Sequence, residues 1–150
     1  MIRFAIVGSG WRSLFYVRIA KALPEEFELV GMLVRTPEKA QRLAREYQIP
    51  TTLREENIIE RKPDFIVSAV NKAGMWDTCK HWLELGFPVL SETPATLEEG
   101  RMEEIRKLVA QGAKYQVAEQ YFLYPRYREM NTCGVRTDRR TGVYDYILHA

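Results

Sequence analysis

Cysteine is nearly absent from this 150-residue chain. Cys79 and Cys133 are the whole complement, without metal-ligand spacing and too few for a disulfide framework. A zinc module or a disulfide-stapled secreted scaffold is therefore not expected, and a reducing, cytoplasmic setting is. Charge of one sign is also scarce: the formal net charge is +2, which gives no electrostatic footprint for nucleic acid. Long apolar runs are missing too. A stretch such as residues 65–70 is far short of the roughly 20 residues that span a bilayer, so no membrane association is expected. Met1 leads straight into the first apolar segment, with no separate charged region, apolar core and cleavage site, so no signal peptide is read. Repeats and low-complexity linkers are absent. With 46% hydrophobic and 28% charged residues, what remains is a folded globular chain long enough to bury a core.

The most informative segment is the first. Ile2-Arg3-Phe4-Ala5-Ile6-Val7 runs into Gly8-Ser9-Gly10-Trp11-Arg12-Ser13, and helical spacing follows. A dinucleotide site needs this order of strand, glycine turn and helix. Gly8 lets the chain turn tightly. Gly10, without a side chain, lets the backbone approach a pyrophosphate, and the free N–H groups at the helix start face the anion. Ser13 stands where the usual fingerprint has a third glycine; it is small enough for close helix–strand packing, and its hydroxyl is a candidate phosphate contact.

The rest of the chain alternates strand and helix. Strands are expected at 3–7, 28–34, 51–53, 65–70, 89–91 and 115–118. Helices are expected at 11–23, 57–61 and 75–85, with another running from a Thr96-Leu97-Glu98-Glu99 capping box to Gln111. In the first helix Leu14, Phe15, Ile19, Ala22 and Leu23 are read as near one face. Thr36 followed by Pro37 reads as cap and first residue of a further helix, because a Thr hydroxyl accepts a free helix N–H and Pro has none to lose. The pattern implies an α/β fold, a doubly wound parallel sheet of order 3-2-1-4-5-6 with right-handed crossovers. After Pro125 the periodicity fades. Residues 131–142, with Arg136, Arg139 and Arg140, read as an exposed loop or tail, and 144–148 as one more strand. The division expected is a nucleotide-binding domain over 1–120 and an irregular extension over 121–150.

Three strand ends carry the candidate chemistry. Gly8, Ser9, Gly10, Trp11, Arg12 and Ser13 are assigned to the cofactor diphosphate. At the second strand end, Val34-Arg35-Thr36 has no carboxylate to accept from the ribose 2′-hydroxyl of NAD. A guanidinium and a hydroxyl suit a 2′-phosphate instead, so NADP is expected over NAD; the alternative is a solvated Arg35 and a Thr36 that only caps. At the fourth strand end, Val70 and Asn71 should lie beside the glycine turn, with Asn71 either touching the ribose and nicotinamide side or merely turning the chain. No metal site is expected. His81 reads as a helix-surface or packing residue, and Lys72 as solvated.

With Val89-Leu90-Ser91-Glu92-Thr93-Pro94 added, the chain resembles the glucose–fructose oxidoreductase, inositol dehydrogenase and rhizopine-catabolism family (Gfo/Idh/MocA). The resemblance spans roughly residues 2–125. It also takes in Thr36-Pro37-Glu38-Lys39-Ala40, Leu85-Gly86-Phe87-Pro88-Val89, and Glu119-Gln120-Tyr121 followed by Pro125. It implies an NAD(P)-dependent oxidoreductase acting on sugars, inositols or related polyols, with Glu92 and Thr93 at the nicotinamide end. Thr93 replaces the lysine that family members carry and that is assigned a proton-transfer role, and a hydroxyl supplies no fixed positive charge. The family histidine early in the following helix is also missing, with Met75 and Trp76 near that place. The family's C-terminal substrate domain, which usually forms the subunit interface, is expected to be absent, so homo-oligomerisation stays open and no catalytic residue is assigned. Two readings follow: a sugar/polyol dehydrogenase-like protein, here mainly its nucleotide-binding domain and weakly or not catalytic alone, taking a small polar substrate if catalytic; or a non-catalytic NAD(P)-binding or sensing module. A methyltransferase-type fold is disfavoured by Glu92-Thr93-Pro94.

Overall fold

Alternating side chains place β1 between two layers. The computed structural model describes residues 1–119 and Tyr124, and β1 (Ile2–Val7) lies at the middle of its sheet. Phe4 and Ile6 point into one core with Val17, Met32, Leu43 and Val67. Ala5 and Val7 point into the other with Ile58, Ile66, Trp76, Trp82 and Ile105. Successive strand residues face opposite sides, so a strand covered on both faces is apolar throughout.

The remaining elements, in chain order, are α1 (Ser13–Ala22), β2 (Phe27–Leu33), α2 (Pro37–Tyr47), β3 (Thr51–Thr52), α3 (Glu56–Glu60), β4 (Phe65–Ser68), a short 3-10 turn (Lys72–Gly74), α4 (Met75–Glu84), β5 (Val89–Ser91), α5 (Glu99–Ala110) and β6 (Tyr115–Val117). The sheet order is β3-β2-β1-β4-β5-β6 and every pairing is parallel. Residues of α1 and α2 pack in the first core, and those of α3, α4 and α5 in the second. This is the doubly wound sheet expected from the pattern, with both β1 neighbours reached by crossovers to opposite sides. Residues Met1–Ala118 form one compact unit. The segments 131–142 and 144–148, Cys133, and Gln120, Tyr121 and Pro125 lie outside the described residues.

Local chemistry explains the element ends. Thr36 is extended (φ −130°, ψ 145°), its hydroxyl accepts the Lys39 N–H at 3.4 Å, and Pro37 is the first residue of α2. The box at Thr96 behaves differently. The Thr96 hydroxyl accepts the Glu98 N–H at 3.0 Å, a local turn that competes with a cap. The Glu98 carboxylate goes to Arg101 at 2.9 Å, and α5 starts at Glu99 with no side-chain cap. The face expected for α1 is also corrected. Ser13 and Val17 are buried, while Phe15, Ile19 and Leu23 are each more than 40% exposed. The helix meets its core through Val17, with Leu14, Tyr16 and Ala20 packed beside it, while Phe15, Ile19 and Leu23 face outward.

Candidate functional site

Parallel strands end together, and the crevice at that edge flanks the reversal of strand order beside β1. Gly8 makes the edge possible. Its φ is +117°, and a Cβ there would stand 2.3 Å from the Ala69 carbonyl oxygen and 2.7 Å from its carbon. The Gly8 N–H donates to the Leu33 carbonyl at 3.1 Å, so the turn leaves β1 pinned to β2 and pressed against the end of β4. Gly10 is the opposite case, since a Cβ there would meet nothing within 4 Å. Its free side is open space.

Hydrogen bonding resumes at the helix start, where the N–H groups of Ser13, Leu14 and Phe15 donate to the carbonyls of Gly10, Trp11 and Arg12. Between the two ends, the main-chain N–H groups of Ser9, Gly10, Trp11 and Arg12 have no acceptor among the described residues. Four consecutive unused amides before a ten-residue helix are the kind of donor set that could receive an anion.

The turn is one wall of a cavity of about 930 Å³, which brings Gly8, Ser9, Gly10, Trp11, Arg12, Arg35, Val70 and Asn71 together. Asn71 does structural work as well: its Oδ1 accepts the Gly74 N–H at 2.9 Å. Four other candidates lie off the wall. Ser13 is fully buried and its hydroxyl has no partner among the described residues, so it packs α1 against the sheet. Thr36 caps α2. Glu92 is 7% exposed, its carboxylate taken by Arg12 at 2.8 Å and by the Tyr16 phenol at 2.5 Å. Burial, with the Glu92 carboxylate next, raises the Tyr16 pKa above the usual phenol value. Thr93 is exposed and joined to Pro94 by a cis peptide bond.

Reading the sequence missed Lys39 and Arg54, both on the cavity wall with Arg35. Lys39 lies in the first turn of α2, just after Arg35 and the Thr36 cap, and Arg54 follows the end of β3, which the sheet order places beside β2. Carboxylates share this end. Arg54 pairs loosely with Glu56 at 3.4 Å, and Glu55 is taken by His81 at 2.8 Å. Among the described residues Arg35 and Lys39 are in no ion pair. His81 thus sits on the surface of α4, edge-on to Trp82, and Lys72 is exposed. Among the described residues no cluster of His, Cys, Asp and Glu could hold a metal ion, and no helix is long and apolar enough to cross a membrane.

A family model described as oxidoreductase family, NAD-binding Rossmann fold, matches residues 2–121. Among solved structures, scyllo-inositol dehydrogenase from Lactobacillus casei with bound NAD(H) and scyllo-inositol superposes with a TM-score of 0.74 at 17% identity, covering 88% of this chain and 40% of that one. Myo-inositol 2-dehydrogenase from Lactobacillus plantarum gives 0.72 at 17% identity, with 87% and 40% covered. Biliverdin reductase from Synechocystis sp. PCC 6803, in complex with biliverdin and NADP+, gives 0.71 at 16% identity, with 87% and 42% covered. The chain thus spans about 40% of the length of these structures, whose likeness at such identity is one of fold. No curated protein sequence matches it.

Proposed function

The chain belongs to the Gfo/Idh/MocA oxidoreductase family, whose fold binds a nicotinamide dinucleotide, and from that premise we propose that the crevice beside β1 is its cofactor site, with NADP preferred over NAD. The observation that carries the reading is the run of four unused amides, Ser9 to Arg12, on the wall of a cavity large enough for a dinucleotide. These amides would hold the diphosphate, Gly10 admitting it closely because its Cα bears no side chain. Val70 and Asn71 would flank the nicotinamide-side ribose, with the Asn71 amide nitrogen left to donate.

The adenosine end supports the preference for NADP. Arg35 and Lys39 line the wall without an ion pair among the described residues, and Arg54 has only a long contact with Glu56. A 2′-phosphate accepts charge-assisted hydrogen bonds from such groups, whereas the 2′-hydroxyl of NAD offers them no negative charge.

When bound, the nicotinamide exchanges a hydride with a carbinol or carbonyl carbon of the substrate; a small polar sugar or polyol is the class proposed. This chain's part would be to bind, orient and exclude water. Thr93, exposed after β5, would offer a neutral hydroxyl to a ribose or substrate hydroxyl; it keeps its proton near neutral pH and so cannot relay one as a lysine would. That residue favours the second reading, a binding or sensing module without turnover.

Trp11 provides the assay, because it lines the cavity and is 71% exposed while Trp76 and Trp82 are buried. Quenching of its emission and energy transfer to reduced nicotinamide should report binding, with a lower dissociation constant for NADPH than for NADH. Tighter NADH binding would remove the preference, and absence of both signals would remove the site. A screen of polyols and sugar alcohols with NADP, following reduced nicotinamide absorbance, separates enzyme from module.

A further inference from the structure

We propose that Arg12, Glu92 and Tyr16 form a strut that positions the nicotinamide half of the site, tying the glycine turn to the chain that leaves β5. The inference rests on the dinucleotide reading above and deepens it. Glu92 follows the last residue of β5, and its N–H donates to the Ser68 carbonyl of β4 at 2.9 Å. Its backbone is therefore fixed to the sheet. Its carboxylate crosses to α1 and takes two partners one helical turn apart: Arg12 Nε lies 2.8 Å from Oε2, and the Tyr16 phenol donates to Oε1 at 2.5 Å.

The Glu92 side chain is 9% exposed and that of Arg12 35%. Removing one partner from a carboxylate so buried leaves it uncompensated. The Arg12 guanidinium also lies 5.1 Å from the ring centre of Phe15 and 5.7 Å from that of Trp11, contacts that favour the same placement. Arg12 is thus already engaged, through its Nε, by a protein carboxylate. It lines the cavity at the turn, yet its Nε serves Glu92, and the diphosphate is left to the main-chain amides. Arg12 is a positioning residue: the strut braces the Thr93-Pro94 segment against the glycine turn, on the side toward which the ring leaving the diphosphate would extend.

The test compares two ligands that differ only beyond the diphosphate, NADPH and 2′-phospho-ADP-ribose, which lacks the nicotinamide ring. Glu92→Gln should weaken NADPH about tenfold, the loss of one charged hydrogen-bonding partner, and leave 2′-phospho-ADP-ribose within about twofold, as expected for a ligand whose diphosphate contacts are unchanged. The fluorescence anisotropy of bound NADPH should fall at the same time, since the ring is less restrained. Tyr16→Phe, which keeps the ring and removes one donor, should shift the two ligands in the same unequal way. Arg12→Leu added to Glu92→Gln should cost little more, because both changes break one contact. Equal weakening of both ligands by Arg12→Leu would make Arg12 a diphosphate ligand and overturn the proposal. Unchanged NADPH affinity in Glu92→Gln and Tyr16→Phe would overturn it as well. Failure of the unaltered protein to bind either ligand would instead remove the dinucleotide reading itself.

Discussion

The two glycines of the first turn should respond oppositely to the same substitution. In Gly8→Ala the added methyl would stand 2.3 Å from the Ala69 carbonyl oxygen and 2.7 Å from its carbon, both main-chain atoms, at a φ of +117°. The dihedral strain costs about 1–3 kcal/mol, and forcing β4 away from the turn costs about 1–3 kcal/mol more. Together they lower stability by about 2–6 kcal/mol, a fall in melting temperature on the order of 10 °C for a chain of this size. Gly10→Ala adds its methyl to open space, so the melting temperature should stay within about 2 °C, as for a substitution that creates no strain or cavity. The same methyl would lift a diphosphate off the amides of Ser9 to Arg12. Losing one or two charged hydrogen bonds of about 1.5–3 kcal/mol each raises the NADPH dissociation constant at least about tenfold. Thermal unfolding followed by circular dichroism reads the first effect, and titration of Trp11 emission reads the second. Unaltered NADPH affinity in Gly10→Ala would refute the placement of the diphosphate, and an unaltered melting temperature in Gly8→Ala would refute the close approach.

Two further outcomes follow from other parts of the molecule. Arg35→Ala and Lys39→Ala should each reduce the ratio of NADP to NAD affinity about tenfold, one charge-assisted contact apiece, with NAD affinity itself nearly unchanged; equal loss for both cofactors in competition titrations would contradict the assignment. Burial pushes the Cys79 thiol from 9.0 up to about 11, with smaller opposing effects from hydrogen bonds to Ser68 and Tyr115. The unfolded chain therefore releases that proton first. The stability held by the neutral thiol is complete below pH 9 and is lost as pH rises toward 11, up to about 3 kcal/mol by linkage. Urea unfolding across that range should show the decline, and Cys79→Ala should flatten its slope.

What could be read from the sequence was what the backbone itself demands. Gly8 announces its turn because no other residue fits beside Ala69, and Thr36-Pro37 announces α2 because capping is local. The continuous apolar run from Phe65 marks a strand covered on both sides. Strand order then follows from connectivity. Faces and partners were less legible. In the first helix Leu14, Phe15, Ile19, Ala22 and Leu23 read as near one face, yet Ser13 and Val17 are the buried positions, with Leu14, Tyr16 and Ala20 packed beside Val17, because hydropathy alone does not tell which apolar side chains of a short helix meet the sheet. Lys39 and Arg54 join Arg35 only once the order β3-β2-β1 sets their ends side by side.

Arg12 shows where such reading stops. By position it is a cation in an anion-binding turn, and any argument from residue type would give it the diphosphate. Its actual partner lies 80 residues away in sequence, at the end of β5. A buried carboxylate has more to lose from an absent cation than a diphosphate that four amides could meet, so under the proposed placement the work would divide: main-chain groups for the ligand, the side chain for the frame. A long cation in a glycine turn is accordingly better assigned by asking which nearby anion is least solvated than by asking which ligand the turn resembles.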